Sequence, residues 1–287
     1  MSTAYLNGVF QPLSETRVSV MDRGFLFGDG VYEVIPVYGG RLFRLTHHLT
    51  RLCNSLDAVR IGNPLSTAAW ETMLNDLVIR NNGGDQAVYL QVTRGVAPKR
   101  DHAFPENTSP TLFAMSTPLA ASVEIDSIIG TTAITLPDIR WKLCNIKAIT
   151  LLPNVLLRQQ AIDSDGAEAI LIKDGFAIEG AASNIFIVRN GLLITPPNGP
   201  ALLPGITRDL VIELAASHAI PFREADISEE ELFSADEVWL TSSTREISPV
   251  IRLDDSIISG GVPGPLWRRM ISLYQDYKIA LRKGDAS

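Results

Sequence analysis

The stretch CNIKAITLLPNV, residues 144–155, puts Lys147 at the head of an apolar run with no acidic residue within several positions to pair with it. Most lysines are solvated groups whose stems lie on apolar neighbours, and Lys142, three residues before Asn145, reads as one of those. Upstream, IRWKLCNIK over 139–147 predicts a strand. Alternation then places Arg140 and Lys142 on one face and Ile139, Trp141, Leu143, Asn145 and Lys147 on the other, the greasier one. Downstream, a helix is predicted, with Pro153 tolerated in its first turn and Gly166 as its stop. Lys147 then sits near a strand-to-helix junction, where rigid elements on either side position active-site groups. The pattern alone leaves open whether this lysine is chemical or merely solvated.

Working outward, four dipeptides between strand-like flanks predict hairpin turns: Asn7-Gly8, Gly39-Gly40, Asp174-Gly175 and Asn190-Gly191. Antiparallel sheet is therefore expected in both halves, interleaved with helices. In THHLTRLCNSLDAVRI, Leu49, Leu52, Leu56 and Val59 recur at spacings of 3, 4 and 3, an amphipathic helix with Thr46 as its predicted cap. DQAVYLQVTRG reads as a strand ending at Gly95, and Ser228 with Glu231 forms a capping box that starts a short helix. TPLAASVEIDS, with its small residues and proline, reads as a linker. The expected organisation is α+β with two domains, residues 1–118 and 132–287, joined by a linker over 119–131, and a cleft between them for a ligand.

At 287 residues, 46% hydrophobic and 20% charged, the chain has the composition of a globular protein with real cores. A net charge of −7 and the lack of a basic stripe argue against nucleic acid as a partner. No apolar run reaches the roughly 18 residues that span a bilayer. MSTAYLNGVF has neither the basic start nor the apolar core of a signal peptide. Cys53 and Cys144 are in no metal-ligand spacing, and the four histidines are too scattered for a zinc site. A cytoplasmic protein with reduced thiols is expected.

Four motifs bear on Lys147. In LLPGITRDLVIEL, Gly205 ends a loop and Thr207 is placed to cap a helix; the free backbone N–H groups there would suit an anion, although for this stretch alone an ordinary capped helix is the better reading. LTSSTREIS, residues 240–248, gathers hydroxyls at a strand end, fit for a phosphate or for turns. AIEGAASNIFIV puts Glu179 before a small-residue segment that admits close approach to the backbone. DRGFLFGDGVYEV holds three glycines with Phe25, Phe27 and Tyr32, and otherwise reads as a loop leading into a strand.

Taken in order, DRGFLFGDGVYEV, HLTRL, YLQVTRG, IRWKLCNIK, EGAASNIF, LLPGITRD and LTSSTREISPV resemble the pyridoxal-phosphate enzymes of fold type IV, the family of D-amino-acid and branched-chain aminotransferases. YEVIPVYGGRLF and RDHAFP are most similar to the D-amino-acid branch. The resemblance implies a smaller N-terminal α/β domain, a larger C-terminal domain with a β-barrel-like core, pyridoxal 5′-phosphate as cofactor, and a homodimer. It implies that Lys147 bonds the cofactor's aldehyde and shuttles a proton, and that Glu179 pairs with the ring nitrogen. Arg51, Ile206, Thr207 and Ser243 would hold the phosphate, and Leu203 would pack on the ring. Tyr32, Arg100 and His102 would bind the substrate carboxylate. The sequence departs from the family at Ala181 and Ala182, where D-specific members often carry serines. It also has one residue more than expected before Arg100, which leaves Lys99 as the alternative in that role. Besides D-amino-acid transfer to a 2-oxo acid, the resemblance admits a branched-chain L-aminotransferase or a lyase of the same fold. A non-catalytic cofactor carrier would not need both Lys147 and Glu179.

Overall fold

The computed structural model describes residues 2–120 and 124–286, and the chain forms two compact units. The first comprises Met1–Ala121, Ile146–Thr150 and Ile279–Ser287; the second comprises Ser122–Asn145 and Leu151–Lys278. This differs from a simple split at residues 119–131. Ile146 is buried in the first unit's core, and Arg282 pairs with Asp85 at 2.6 Å and lies over the Tyr38 ring. Within the expected linker, residues 121–123 lie outside the described residues.

In the first unit β1 (Thr3–Leu6), β2 (Val9–Pro12), β3 (Gly30–Tyr38), β4 (Arg41–Leu42), β5 (Gln86–Thr93) and β6 (Thr111–Pro118) form one antiparallel sheet in the order β2-β1-β6-β5-β3-β4. Asn7 and Gly8 at φ 49° and 98°, and Gly39 and Gly40 at 58° and 78°, make the predicted hairpin turns, whose left-handed residues match the twist of the strands they join. Helices α1 (Arg23–Phe27), α2 (Leu45–Ala58) and α3 (Thr67–Arg80) complete the unit. Leu49, Leu52 and Leu56 of α2 and Trp70, Leu74 and Leu77 of α3 pack with Val31, Ile35, Val88 and Leu90 of the sheet. Thr46 does not cap α2: Arg44, at φ 47°, is the N-cap, and its carbonyl already accepts from His47 N and His48 N.

The segment Ile146–Thr150 runs beside β3. Tyr32 N donates to Lys147 O at 3.0 Å and Ile149 N to Gly30 O at 3.1 Å. The strand expected over 139–147 does not form. Asp138 accepts the Arg140 N–H at 3.0 Å and turns the chain, and Cys144 N donates to Pro200 O. Ile139, Trp141 and Leu143 of the supposed greasy face are 57%, 47% and 47% exposed. Lys142 is exposed, as expected.

The second unit curls a ten-stranded mixed sheet into a half-barrel. Its strands are β7 (Thr131–Pro137), β8 (Glu168–Lys173), β9 (Phe176–Gly180), β10 (Asn184–Arg189), β11 (Leu192–Thr195), β12 (Phe222–Glu224), β13 (Ile227–Ser228), β14 (Glu237–Ser242), β15 (Glu246–Leu253) and β16 (Ser256–Ile257). The order is β12-β11-β10-β14-β15-β7-β8-β9-β13, with β16 on β15. Parallel neighbours β7 and β8 are joined through helix α4 (Leu152–Asp163), as a parallel connection requires. Asp174-Gly175 and Asn190-Gly191 make the other two predicted turns. Helix α5 (Ile206–Ser217) has Gly205 as N-cap with no side-chain cap, so Thr207 lies inside the first turn and does not cap it. Helix α6 (Glu229–Phe233) starts with the expected Ser228–Glu231 box. Helix α7 (Pro265–Lys283) begins where the Glu237 carboxylate accepts Leu266 N and Trp267 N, both at 2.9 Å.

Core and surface positions differ in how much they stabilise. Leu56 is fully buried and Ile79 is 71% exposed. Leu56→Ala should cost about 2–5 kcal/mol through lost transfer energy and a residual cavity, whereas Ile79→Ala should stay within about 0.5 kcal/mol. Denaturant unfolding of the two variants checks this; equal losses would contradict the packing described.

Candidate active site

In the second unit the site is built around Glu179, near the end of β9. It is 4% exposed. A carboxylate so buried must find donors, and it finds three. Arg140 donates from Nη1 to Glu179 Oε1, Asn184 Nδ2 donates to Oε2 at 3.1 Å, and Leu203 N donates at 3.1 Å. Arg140 is itself held by Asp138 through Nε and Nη2, each at 2.9 Å. Burial pushes the Glu179 carboxyl up to about 7 even though Arg140 and the Leu203 N–H oppose it. The group is poised to hold or give up a proton near neutrality. Asn184 also donates to Leu203 O at 2.8 Å, which ties the loop before α5 to the carboxylate. A Cβ at Gly205 would collide with the Asn184 carboxamide, so this bridge explains why residue 205 is glycine.

That loop delivers the start of α5. Its first N–H groups have no acceptor within the helix, and the dipole is positive there. Ile206 and Thr207 are 5% and 3% exposed. Thr207 Oγ1 is buried with no partner among the described residues, and so is Thr241 Oγ1 on β14, the strand on which α5 packs. Buried hydroxyls left unpaired cost free energy, and a bound anion with several acceptor oxygens would satisfy them. Ser243 is half-buried in the turn after β14. The residues therefore fit a phosphate-bearing group at this helix start.

In the first unit Lys147 is fixed through its backbone. Its N–H donates to Ser55 Oγ at 3.2 Å and its carbonyl accepts from Tyr32 N. Its Nζ lies 4.2 Å from the Tyr32 ring centroid, a cation–π distance. Tyr32 in turn packs on Tyr89, whose hydroxyl is pushed up to about 12 by burial and by Tyr32. Arg51, expected to face a phosphate, grips Glu33 by two bonds of 2.7 Å. Burial opposes ionisation of Glu33, but Arg51 and His48 overcome it and hold the carboxyl well below the usual range. His48 Nδ1 lies 2.7 Å from Glu33, and burial pushes the His48 pKa down.

Arg100 and His102 share one platform. The Arg100 guanidinium lies 5.0 Å from the Phe27 ring centroid and the His102 ring 5.2 Å from it. Lys99, the alternative to Arg100, points its 77% exposed side chain to Asp101 at 3.0 Å. Its charge is answered locally, whereas Arg100 and His102 each pack on the Phe27 ring.

Comparison with known proteins identifies the family. The model of the amino-transferase class IV family matches residues 30–253. The chain belongs to the class IV aminotransferases. This aminotransferase is 39% identical over 270 residues to a D-alanine aminotransferase of Bacillus licheniformis, covering 94% of this chain and 95% of the relative. It is 36% identical to one from Staphylococcus aureus, over 96% and 98% of the two chains. Among solved structures it superposes on the branched-chain amino acid aminotransferase of Escherichia coli with a TM-score of 0.88 at 26% identity, covering 100% and 96%. The branched-chain aminotransferase of Thermoproteus uzoniensis, solved with norvaline, gives 0.87 at 25% identity over 99% and 97%.

Several buried polar residues that contact the predicted ones were not singled out by the sequence. Glu33 could have been found: alternation along β3 puts it on the face of Val31, Ile35 and Val37, where an acid needs a buried cation. His48 and Ser55 share one stripe of α2 with the predicted Arg51, by spacings of 3 and 4. Arg140 is misassigned when its segment is read as a strand, because alternation then pairs it with solvated Lys142. Asn184 carried no signal beyond its place in EGAASNIF.

The pH dependence follows from Glu179. Its folded-state pKa, about 7, lies above its ordinary 4.5, so the folded protein holds the proton more tightly than the unfolded chain does. Its contribution to stability is full below about pH 4.5 and is lost as pH rises through about 7. Glu179→Gln removes this slope. Relative to wild type, the variant without cofactor should gain in melting temperature between pH 5 and 7.5; a constant difference would contradict the shift.

Proposed function

We propose that this aminotransferase uses pyridoxal 5′-phosphate to move the amino group of a D-amino acid to a 2-oxo acid such as pyruvate or 2-oxoglutarate. The observation that carries the D reading is the placement of both Arg100 and His102 against Phe27, supported by 34–39% identity to D-alanine aminotransferases over nearly the whole chain. The cofactor, when bound, supplies an aldehyde that exchanges its oxygen for the substrate nitrogen and a ring that withdraws electron density. Lys147 Nζ supplies the amine that holds the aldehyde and then carries the proton at the substrate Cα. Glu179, backed by Arg140, keeps a proton on the ring nitrogen. Ile206 and Thr207 at the start of α5, with Ser243, donate to the phosphate, and Arg51, oriented by Glu33, adds the cation. Leu203 packs on the ring, held by the bonds that tie its backbone to Glu179 and Asn184.

Tyr32, Arg100 and His102 receive the substrate carboxylate. A planar guanidinium takes a carboxylate by two charge-assisted bonds and so fixes its orientation. With the carboxylate and the nitrogen both fixed, only one enantiomer turns its Cα–H toward Lys147. A homodimer is proposed from the apolar side chains the fold leaves uncovered. On α4, Leu152, Val155 and Leu156 are 69%, 59% and 54% exposed and lie on one face at spacings of 3 and 1. A cytoplasmic location fits the free thiols of Cys53 and Cys144; no described helix is long and apolar enough to cross a membrane.

Initial rates with D- and L-amino acids on pyruvate and 2-oxoglutarate test the function. D-alanine should be preferred, and a preference for L-leucine would instead favour a branched-chain activity. Lys147→Ala should abolish turnover. Arg100→Leu should lower kcat/KM for D-alanine at least about tenfold, since each charged hydrogen bond is worth ~1.5–3 kcal/mol. Undiminished D activity in that variant, with loss only in Lys99→Ala, would move the role to Lys99. Sedimentation should give twice the 31.3 kDa chain mass, and Leu152→Asp with Val155→Asp should shift the protein toward monomer.

A further inference from the structure

Residues 97–110, on the connection from β5 to β6, form a loop with neither helix nor strand of its own. A loop this long normally populates many conformations. Arg100 and His102 are exposed on it, so side-chain burial does not hold them in place. What holds the loop lies behind it. Arg23, the first residue of α1, is 3% exposed, and its guanidinium donates to three successive backbone carbonyls that bracket His102. Nη1 reaches Asp101 O at 2.5 Å and Ala103 O at 3.2 Å, and Nη2 reaches His102 O at 3.2 Å.

Arg23 is aimed in turn by Asp29, which accepts from its Nε at 2.8 Å. The same carboxylate takes Arg94 Nε at 2.8 Å and Nη2 at 2.9 Å, and Arg94 anchors on the carbonyls of Val59 and Arg60 at the end of α2. One carboxylate thus locks two buried guanidiniums to the rigid sheet and helix. Arg23 also lies over Phe27, 4.8 Å from its centroid, the ring on which Arg100 and His102 pack. Backbone and side chains of the loop are therefore both referred to α1.

We propose that Arg23, clamped by Asp29, and Phe27 are positioning residues that aim Arg100 and His102 at the substrate carboxylate, and so set the enzyme's hold on that group without touching it. The inference rests on the reading of Arg100 and His102 given above. A lysine could supply the charge at position 23 but not the planar fork that spans three carbonyls.

Steady-state rates with D-alanine, and hydrogen exchange over residues 99–104, test it in four variants: Arg23→Gln, Arg23→Lys, Phe27→Leu and Arg100→Leu, with Arg23→Gln also made in the Arg100→Leu background. Arg23→Gln and Arg23→Lys should each raise KM at least about tenfold while kcat falls less than about twofold, and loop amides should exchange faster. In the Arg100→Leu background the same Arg23→Gln change should move KM by less than about twofold, because it acts through a group already removed. Equal KM effects in both backgrounds would overturn the proposal, as would an Arg23→Lys enzyme with wild-type KM, which would make charge alone sufficient. Phe27→Leu leaves every backbone tie in place and is scored by the same criteria if Arg23 variants do not fold. An Arg100→Leu enzyme with unchanged KM overturns the carboxylate reading itself; a raised KM there with an unchanged KM in Arg23→Gln overturns the positioning proposal alone.

Discussion

The ion pair of Arg140 with Glu179 is the constraint on which the second unit's chemistry depends. Withdrawing a carboxylate from water is costly unless its charge and lone pairs are answered, and here each donor comes from a different stretch of chain. Arg140 comes from the irregular segment after β7, Asn184 from the start of β10, and the Leu203 N–H from the loop before α5. Asp138 fixes the arginine before the arginine fixes the glutamate. Removing one partner would leave a buried charge unpaired, so the loop carrying Leu203, Gly205 and the first turn of α5 is held by the same group that is poised to titrate. Placement of the phosphate-type donors and tuning of the carboxylate are thereby one structural problem.

The first unit solves a parallel problem with Glu33. A carboxylate on the core face of β3 draws Arg51 and His48 from α2, and the next residue on that stripe, Ser55, takes the Lys147 N–H. The polar stripe of α2 thus does two things at once: it neutralises a buried acid and fixes the backbone of the lysine. Lys147 needs no side-chain partner for its position, because Ile146 is anchored in the core and two main-chain bonds with β3 set the direction in which its side chain leaves. The role proposed for Lys147 requires an amine uncommitted to any acid, and backbone anchoring permits that.

These devices were unevenly legible in the sequence. The four hairpins could be read because Asn-Gly, Asp-Gly and Gly-Gly are short-range signals whose left-handed conformations need no tertiary help. The Ser228–Glu231 box and the apolar stripe of α2 were local in the same sense. The strand expected over 139–147 failed for the opposite reason. Its alternation is real, but Asp138 bonds the Arg140 backbone and side chain together and the segment turns, so a side-chain interaction two residues apart outweighed periodicity. The caps at Thr46 and Thr207 each failed by two residues because Arg44 in a left-handed conformation and Gly205 packed on Asn184 start those helices instead. The ionic partners of Glu33 and Glu179 were the least legible, since His48, Arg51 and Arg140 lie 15 to 39 positions away from them and no local rule reaches that far.

Buried and exposed charges are used differently throughout. Glu33, Arg51, Glu179 and Arg140 are enclosed, paired and rigid, where a charge interaction is strong and a displaced partner is heavily penalised. Arg100 and His102 are exposed, where a pair such as Lys99 with Asp101 contributes little. On the proposed reading, in which these two side chains bind and release a small carboxylate at every turnover, that weakness is an advantage, because a deeply buried cation would either pair permanently or hold its product. Exposure, however, leaves a long side chain on a long loop without a defined position, and rotamer entropy then opposes every productive encounter. Arg23 holds the loop by its carbonyls from beneath, which restores position while the side chains of Arg100 and His102 stay exposed on the chain. Rigidity is supplied where desolvation makes ion pairs strong, and reversibility is kept where solvent makes them weak.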